Sequence, residues 1–141
     1  MNIIFENFKQ SAEYKCTIIF EDFEKKLIDM FTIDGELNKT NLKLVDHDVN
    51  CSGTINICYM TITLSDESNG VIYELILNIS LSELRKDPTL EIKEFDLEIK
   101  LYEGSGKDVS KRITIEGVPS ESFSAQWITD TTNQALSELG E

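Results

Sequence analysis

The dominant period of the apolar positions is two, the repeat of a strand with one buried face. Cys16, Ile18 and Phe20 alternate with Thr17 and Ile19 and predict a strand. Leu27, Phe31 and Ile33 follow, closed by the turn dipeptide Asp34-Gly35. Leu42 and Leu44 predict a short strand ending near Asp46. Two long strands come next, over residues 53–64 and 70–80. Cys58, Met60, Ile62 and Leu64 mark one face of the first, and Val71, Tyr73, Leu75, Leu77 and Ile79 one face of the second. Ile55, Ile57 and Tyr59 on the first, and Ile72 and Ile76 on the second, make both strands partly apolar on two faces. That pattern places them inside a sheet, joined as a hairpin by the polar run 65–70.

Residues 80–86 fit one helical turn before Asp87-Pro88. Phe95, Leu97, Ile99 and Leu101 then alternate strictly with Glu94, Asp96, Glu98 and Lys100. Leu90 and Ile92 lie on the opposite parity, which predicts a β-bulge near Lys93 or Glu94. After a turn over 103–108, Ile113, Ile115 and Val118 give the return strand, and Phe123, Ala125 and Trp127 one more short strand. Thr131 with Gln134 three positions on reads as a capping box, and Ala135, Leu136 and Leu139 as an apolar stripe, so a C-terminal helix is expected over about 130–139, ended by Gly140. The first dozen residues fit helix and strand equally. Together these elements predict one mainly β domain over residues 1–141, with a minor α component. It is an antiparallel β-sandwich or a partly closed barrel with one or two short helices.

Charge changes this picture. The 141 residues hold 26 Asp and Glu against 13 Lys and Arg, a net charge of −13. A basic nucleic-acid-binding surface and docking on an anionic membrane are both disfavoured. Hydrophobic residues are 40% of the chain, so a core is affordable and the charge does not imply disorder. The opening residues lack a basic stretch followed by an apolar one, and three cysteines without a CxxC do not resemble a secreted disulfide framework. The expectation is a cytoplasmic protein with Cys16, Cys51 and Cys58 all reduced.

Catalytic chemistry finds little support in the residues. The single histidine, His47, cannot build a multi-histidine metal site, and the set Asp46, His47, Asp48 and Cys51 has the composition of a turn. Gly104-Ser105-Gly106-Lys107 imitates a phosphate loop but has Leu101 where the first glycine belongs and Asp108 where Ser or Thr belongs. Trp127 reads as a core aromatic. The expectation is no enzyme, no metal and no cofactor.

The most distinctive chemistry is the row Glu94, Asp96 and Glu98. Residues two apart on a strand share a face at about 6.8 Å spacing, so the row predicts an acidic surface pointing away from the core. Glu21, Asp22, Glu24, Asp66 and Glu67 add to the charge. Such a surface suits capture of a basic protein partner, because complementary fields speed encounter and reject wrong partners. The leading expectation is therefore a small acidic binding protein that neutralises a basic partner, such as a toxin or a nucleic-acid-binding protein. Bacterial immunity proteins and phage inhibitors, nucleic-acid mimics among them, are of this class. One alternative is a structural subunit of a phage tail or injection tube. A second is a small β-barrel enzyme or ligand carrier.

Overall fold

The computed structural model describes residues 12–51, 56–87, 89–104 and 108–139. The expectations for the opening residues, for 53–55 at the start of the first long strand, for 105–107 of the glycine-rich turn and for Gly140 lie outside these.

The described residues open with a helix where a strand was predicted. Helix α1 runs Ala12–Met30, and its buried residues are Ala12, Cys16, Phe20, Phe23, Leu27 and Met30. Successive steps of three and four place them on one stripe. The pair Cys16 and Phe20 satisfies a period of two and a period of 3.6 alike. Phe23 and Leu27 break the tie, because only a helix brings them to the same side. Ile18, which the strand reading put beside Cys16, remains about half exposed at 47%.

Gly35 follows the helix. A Cβ at this position would stand 2.5 Å from the backbone oxygens of Asp29 and Met30, so only glycine lets the chain fold back so closely. A 3-10 turn, Glu36–Lys39, then buries Leu37.

Five strands follow: β1 Leu42–Asn50, β2 Ile57–Asp66, β3 Val71–Ser80, β4 Glu94–Glu103 and β5 Lys111–Pro119. A short helix, α2 Ser82–Lys86, links β3 to β4. The strands form one antiparallel sheet in the order β1-β2-β3-β4-β5. The expected central hairpin is present: β2 and β3 pair along their whole length, from Ile57 opposite Ser80 to Asp66 opposite Val71. Among the described residues there is a single open sheet, with neither a second packed sheet nor closure into a barrel.

Helices cover the sheet instead. Its inner face carries Cys58, Met60, Ile62 and Leu64 of β2, the odd positions from Val71 to Ile79 of β3, and Phe95, Leu97, Ile99 and Leu101 of β4, all buried. An aromatic cluster shows that both long helices lie on this face. Phe23 of α1 stacks on Phe123 at 4.3 Å and meets Phe95 edge-on at 5.8 Å. Phe95 in turn meets Trp127 at 5.7 Å. Trp127 belongs to helix α3, Ala125–Leu139.

The strand expected at Phe123, Ala125 and Trp127 is therefore a 3-10 turn, Ser120–Ser122, running into α3. Helix α3 starts at Ala125 rather than near 130. Ser124 caps it: its Oγ accepts the Trp127 N–H at 3.1 Å. Thr131, assigned above to the cap, is a buried residue inside the helix.

The bulge expected near Lys93 or Glu94 is absent. Leu90 and Ile92 precede β4 in irregular chain, so they owe nothing to the strand's parity. The irregularities fall on the two edge strands. Val45 is the extra residue of β1, between Leu44 opposite Leu64 and Asp46 opposite Thr63. In β5, Glu116 and Gly117 together face Asp96, and Gly117 takes φ +69°.

The cysteine expectation is also corrected. Cys51, just after β1, is joined to Cys58 of β2 by a disulfide, with Cα atoms 4.4 Å apart. Antiparallel pairing brings the two strand ends side by side, which spacing alone does not reveal. Cys16 is free and buried in α1, as expected of a thiol used as a small hydrophobe.

Candidate functional site

Strict alternation in β4 fixes the acidic row. Phe95, Leu97 and Ile99 point into the core, at 1–2% exposure, so Glu94, Asp96 and Glu98 stand on the opposite, open face of the sheet. Their surroundings differ, however. Glu98 Oε1 lies 3.6 Å from Lys100 Nζ and 3.8 Å from Arg112 Nε, and Lys100 also approaches Glu74 at 3.9 Å. The charge at this end of the row is largely offset. Asp96 accepts the Gly117 N–H at 3.0 Å, which holds its carboxylate over the β5 bulge. Glu94 also leans over Gly117, and its Oε2 lies 3.5 Å from where a Cβ there would sit. No salt bridge engages Glu94 or Asp96 among the described residues.

These two carboxylates open onto a cleft of about 440 Å³ at the end of the sheet where β3 leaves and β4 begins. Glu83 of α2 and Glu91 of the irregular segment line the same cleft, and Lys93 is its one basic residue. The apolar part of the lining comes from Ile79, Leu84, Leu90, Ile92 and Phe95. Leu90 is 40% exposed. The segment is anchored rather than loose. Lys93 O accepts both the N–H and the Oγ–H of Ser120, at 2.8 and 3.1 Å. Asp87 accepts two bonds from Thr89, which hold its carboxyl below the ordinary value.

The structure thus regroups the sequence-predicted residues. It brings Glu94 and Asp96 together with Glu83 and Glu91, and separates Glu98 into an ion-pair cluster. Glu83, Glu91 and Leu90 were missed. The signal for Leu90 and Glu91 was the parity slip at Leu90 and Ile92, which marks the irregular segment beside the cleft, whereas Glu83 on α2 left no such signal.

The other acidic positions are mostly engaged. Asp22 pairs with Lys26 at 3.1 Å and Glu67 with Lys43 at 3.0 Å. Glu24 Oε2 is 2.6 Å from Nδ1 of His47, across the interface of α1 and β1. Asp66 is buried and accepts the backbone and side-chain N–H groups of Asn69, closing the β2–β3 turn. Alternation and the bulge put Asp46 and Asp48 on one face of β1 and His47 on the other, while Cys51 is bridged. Among the described residues no three His, Cys, Asp or Glu side chains are placed to hold a metal ion. No helix among them is long and apolar enough to cross a membrane.

Comparison of the chain with protein-family models, with curated proteins and with solved structures finds no match.

Proposed function

We propose that the protein is a small acidic binding protein whose cleft takes a basic segment of a protein partner, neutralising that partner as an inhibitor or immunity protein does. The observation that carries this reading is the convergence of Glu83, Glu91, Glu94 and Asp96 around an apolar lining with Lys93 as its single cation. Carboxylates at a rim select Lys and Arg, and exposed Leu90 offers an anchor for an apolar side chain between them. A long nucleic-acid mimic is a weaker version of the idea, because Lys100 and Arg112 offset the charge at Glu98. A small-ligand carrier is less favoured, because the inner face of the sheet is filled by core side chains. The proposed setting is the cytoplasm, against which the Cys51–Cys58 bond weighs, because disulfides are rare there.

The test uses a synthetic helical peptide with Lys and Leu on opposite faces, titrated by fluorescence anisotropy. Replacing Glu83, Glu91 and Glu94 together by Gln should weaken binding at least about tenfold, and rising salt should weaken wild type more than the variant. Glu98→Gln, on the same strand, should bind as wild type does. Equal affinity of the cleft variant and wild type would remove the cleft from the proposal.

A further inference from the structure

The end strands of an open sheet expose unpaired N–H and C=O groups, and proteins usually blunt them. Here the two edges are treated differently. β1 is interrupted mid-strand by the Val45 bulge, and Asp46 Oδ1 takes the backbone N–H of His47 at 2.9 Å. The β5 edge has no such device between Lys111 and Ile115, which pair residue for residue with Leu101 through Leu97. Its bulge lies beyond, at Glu116 and Gly117. Among the described residues, no backbone hydrogen bond outside the ladder to β4 engages Lys111–Glu116. Charge distinguishes this edge as well. Residues 109–115 contain Lys111 and Arg112 and no acid, in a chain of net charge −13.

We propose that β5 pairs antiparallel with β5 of a second copy of this chain, about a two-fold axis through Thr114, to give one continuous ten-stranded sheet. The strand is self-complementary in that register. Arg112 stands opposite Glu116 of the partner subunit, twice by symmetry, on the open face. Ile113 stands opposite Ile115 of the partner subunit, also twice, on the helix-covered face, where both isoleucines are only partly buried in the single chain. Thr114 faces its own copy, and Thr–Thr is a favourable cross-strand pair. Glu116 has no ion-pair partner among the described residues, so the contact supplies one. The Gly117 bulge then ends the pairing by turning the strand away. A −13 molecule repels its copy, and the two Arg112–Glu116 pairs are the attraction set against that repulsion at this edge. The acidic cleft is lined by none of Lys111–Glu116, although its Glu94 and Asp96 reach Gly117, where the pairing ends.

Sedimentation velocity over the micromolar to millimolar range tests the contact. Wild type should shift from monomer to dimer with concentration. Arg112→Glu and Glu116→Arg each place like charges opposite one another at two symmetric positions, and each should raise the dimer dissociation constant at least about tenfold. The double exchange R112E/E116R restores opposite charges and should recover the wild-type constant. Circular dichroism should be unchanged throughout, since these side chains are exposed. A monomer at every concentration overturns the proposal. So does a dimer indifferent to both single reversals, or one that the double exchange fails to restore.

Discussion

Cys16 lies at the residue scale of the α1–sheet interface, fully buried. Burial, with a smaller effect of nearby Glu13, pushes its thiol from the ordinary 9.0 to about 12. Burial and Asp66 likewise raise the Tyr73 hydroxyl from 10.0 to about 12. Both groups hold in the folded state protons that the unfolded chain releases earlier. Their contribution is complete below the unfolded values and is lost as pH rises from about 9 toward about 12. Urea denaturation near pH 8 and near about 10.5 should therefore show a loss to which the thiol alone contributes about 2 kcal/mol. Cys16→Ala should be less stable near neutrality, through a small cavity, yet lose less on going alkaline. An equal pH response in both proteins would mean that the thiol is solvated. A second residue-scale expectation concerns Gly35. Gly35→Ala forces a Cβ against the Asp29 and Met30 carbonyls and should lower stability by about 1–3 kcal/mol, read from the urea midpoint.

Elements differ in how plainly the sequence announces them, and the reason is what each one packs against. β2, β3 and β4 lie inside a sheet with one face covered, so burial alternates along them up to Glu103, the exposed last residue of β4. Helix α1 is legible only over its full length, since Cys16, Ile18 and Phe20 alone fit a strand. Helix α3 was legible in its second half, but its start was hidden because Phe123 and Trp127 join one aromatic cluster from either side of the cap. Ser124 sets that start, by accepting the Trp127 N–H. Ser124→Ala should cost about 1 kcal/mol, whereas Ser124→Asp, which keeps an acceptor and suits the helix N-terminus, should not. Guanidinium denaturation curves of the two variants, which should share one slope, check this. An alanine variant as stable as wild type would place the helix start elsewhere. The bulges at Val45 and Gly117 were not legible, because nothing in a single strand's sequence records the count of residues on its neighbour.

At the scale of the whole molecule, the outward direction of Glu94, Asp96 and Glu98 was legible from alternation, whereas the cleft was not. The cleft depends on where α2 and residues 89–93 come to rest against the end of the sheet, a matter of tertiary packing. Charge acts at this same scale. Acids outnumber bases 26 to 13, so repulsive pairs outnumber attractive ones, and a compact chain holds them closer than an unfolded one. The opposing contribution is small. Lys26–Asp22 and Lys43–Glu67 are well exposed, and such pairs contribute about 0–1 kcal/mol each. Raising sodium chloride from about 10 mM to about 150 mM shortens the screening length from about 30 Å to about 8 Å, which removes more repulsion than attraction. The melting temperature should rise by about 3–5 °C if screening recovers about 1 kcal/mol. Chloride is the right salt, because sulfate would raise the melting temperature through apolar burial and confuse the reading. The measurement belongs at low protein concentration, where pairing through β5 adds nothing to stability. A melting temperature that falls with chloride would mean that ion pairs such as Glu13–Arg85 and the Glu98–Lys100–Arg112 cluster outweigh the surplus of acid. The −13 charge would then be a compensated network rather than an unspent field available to a basic partner.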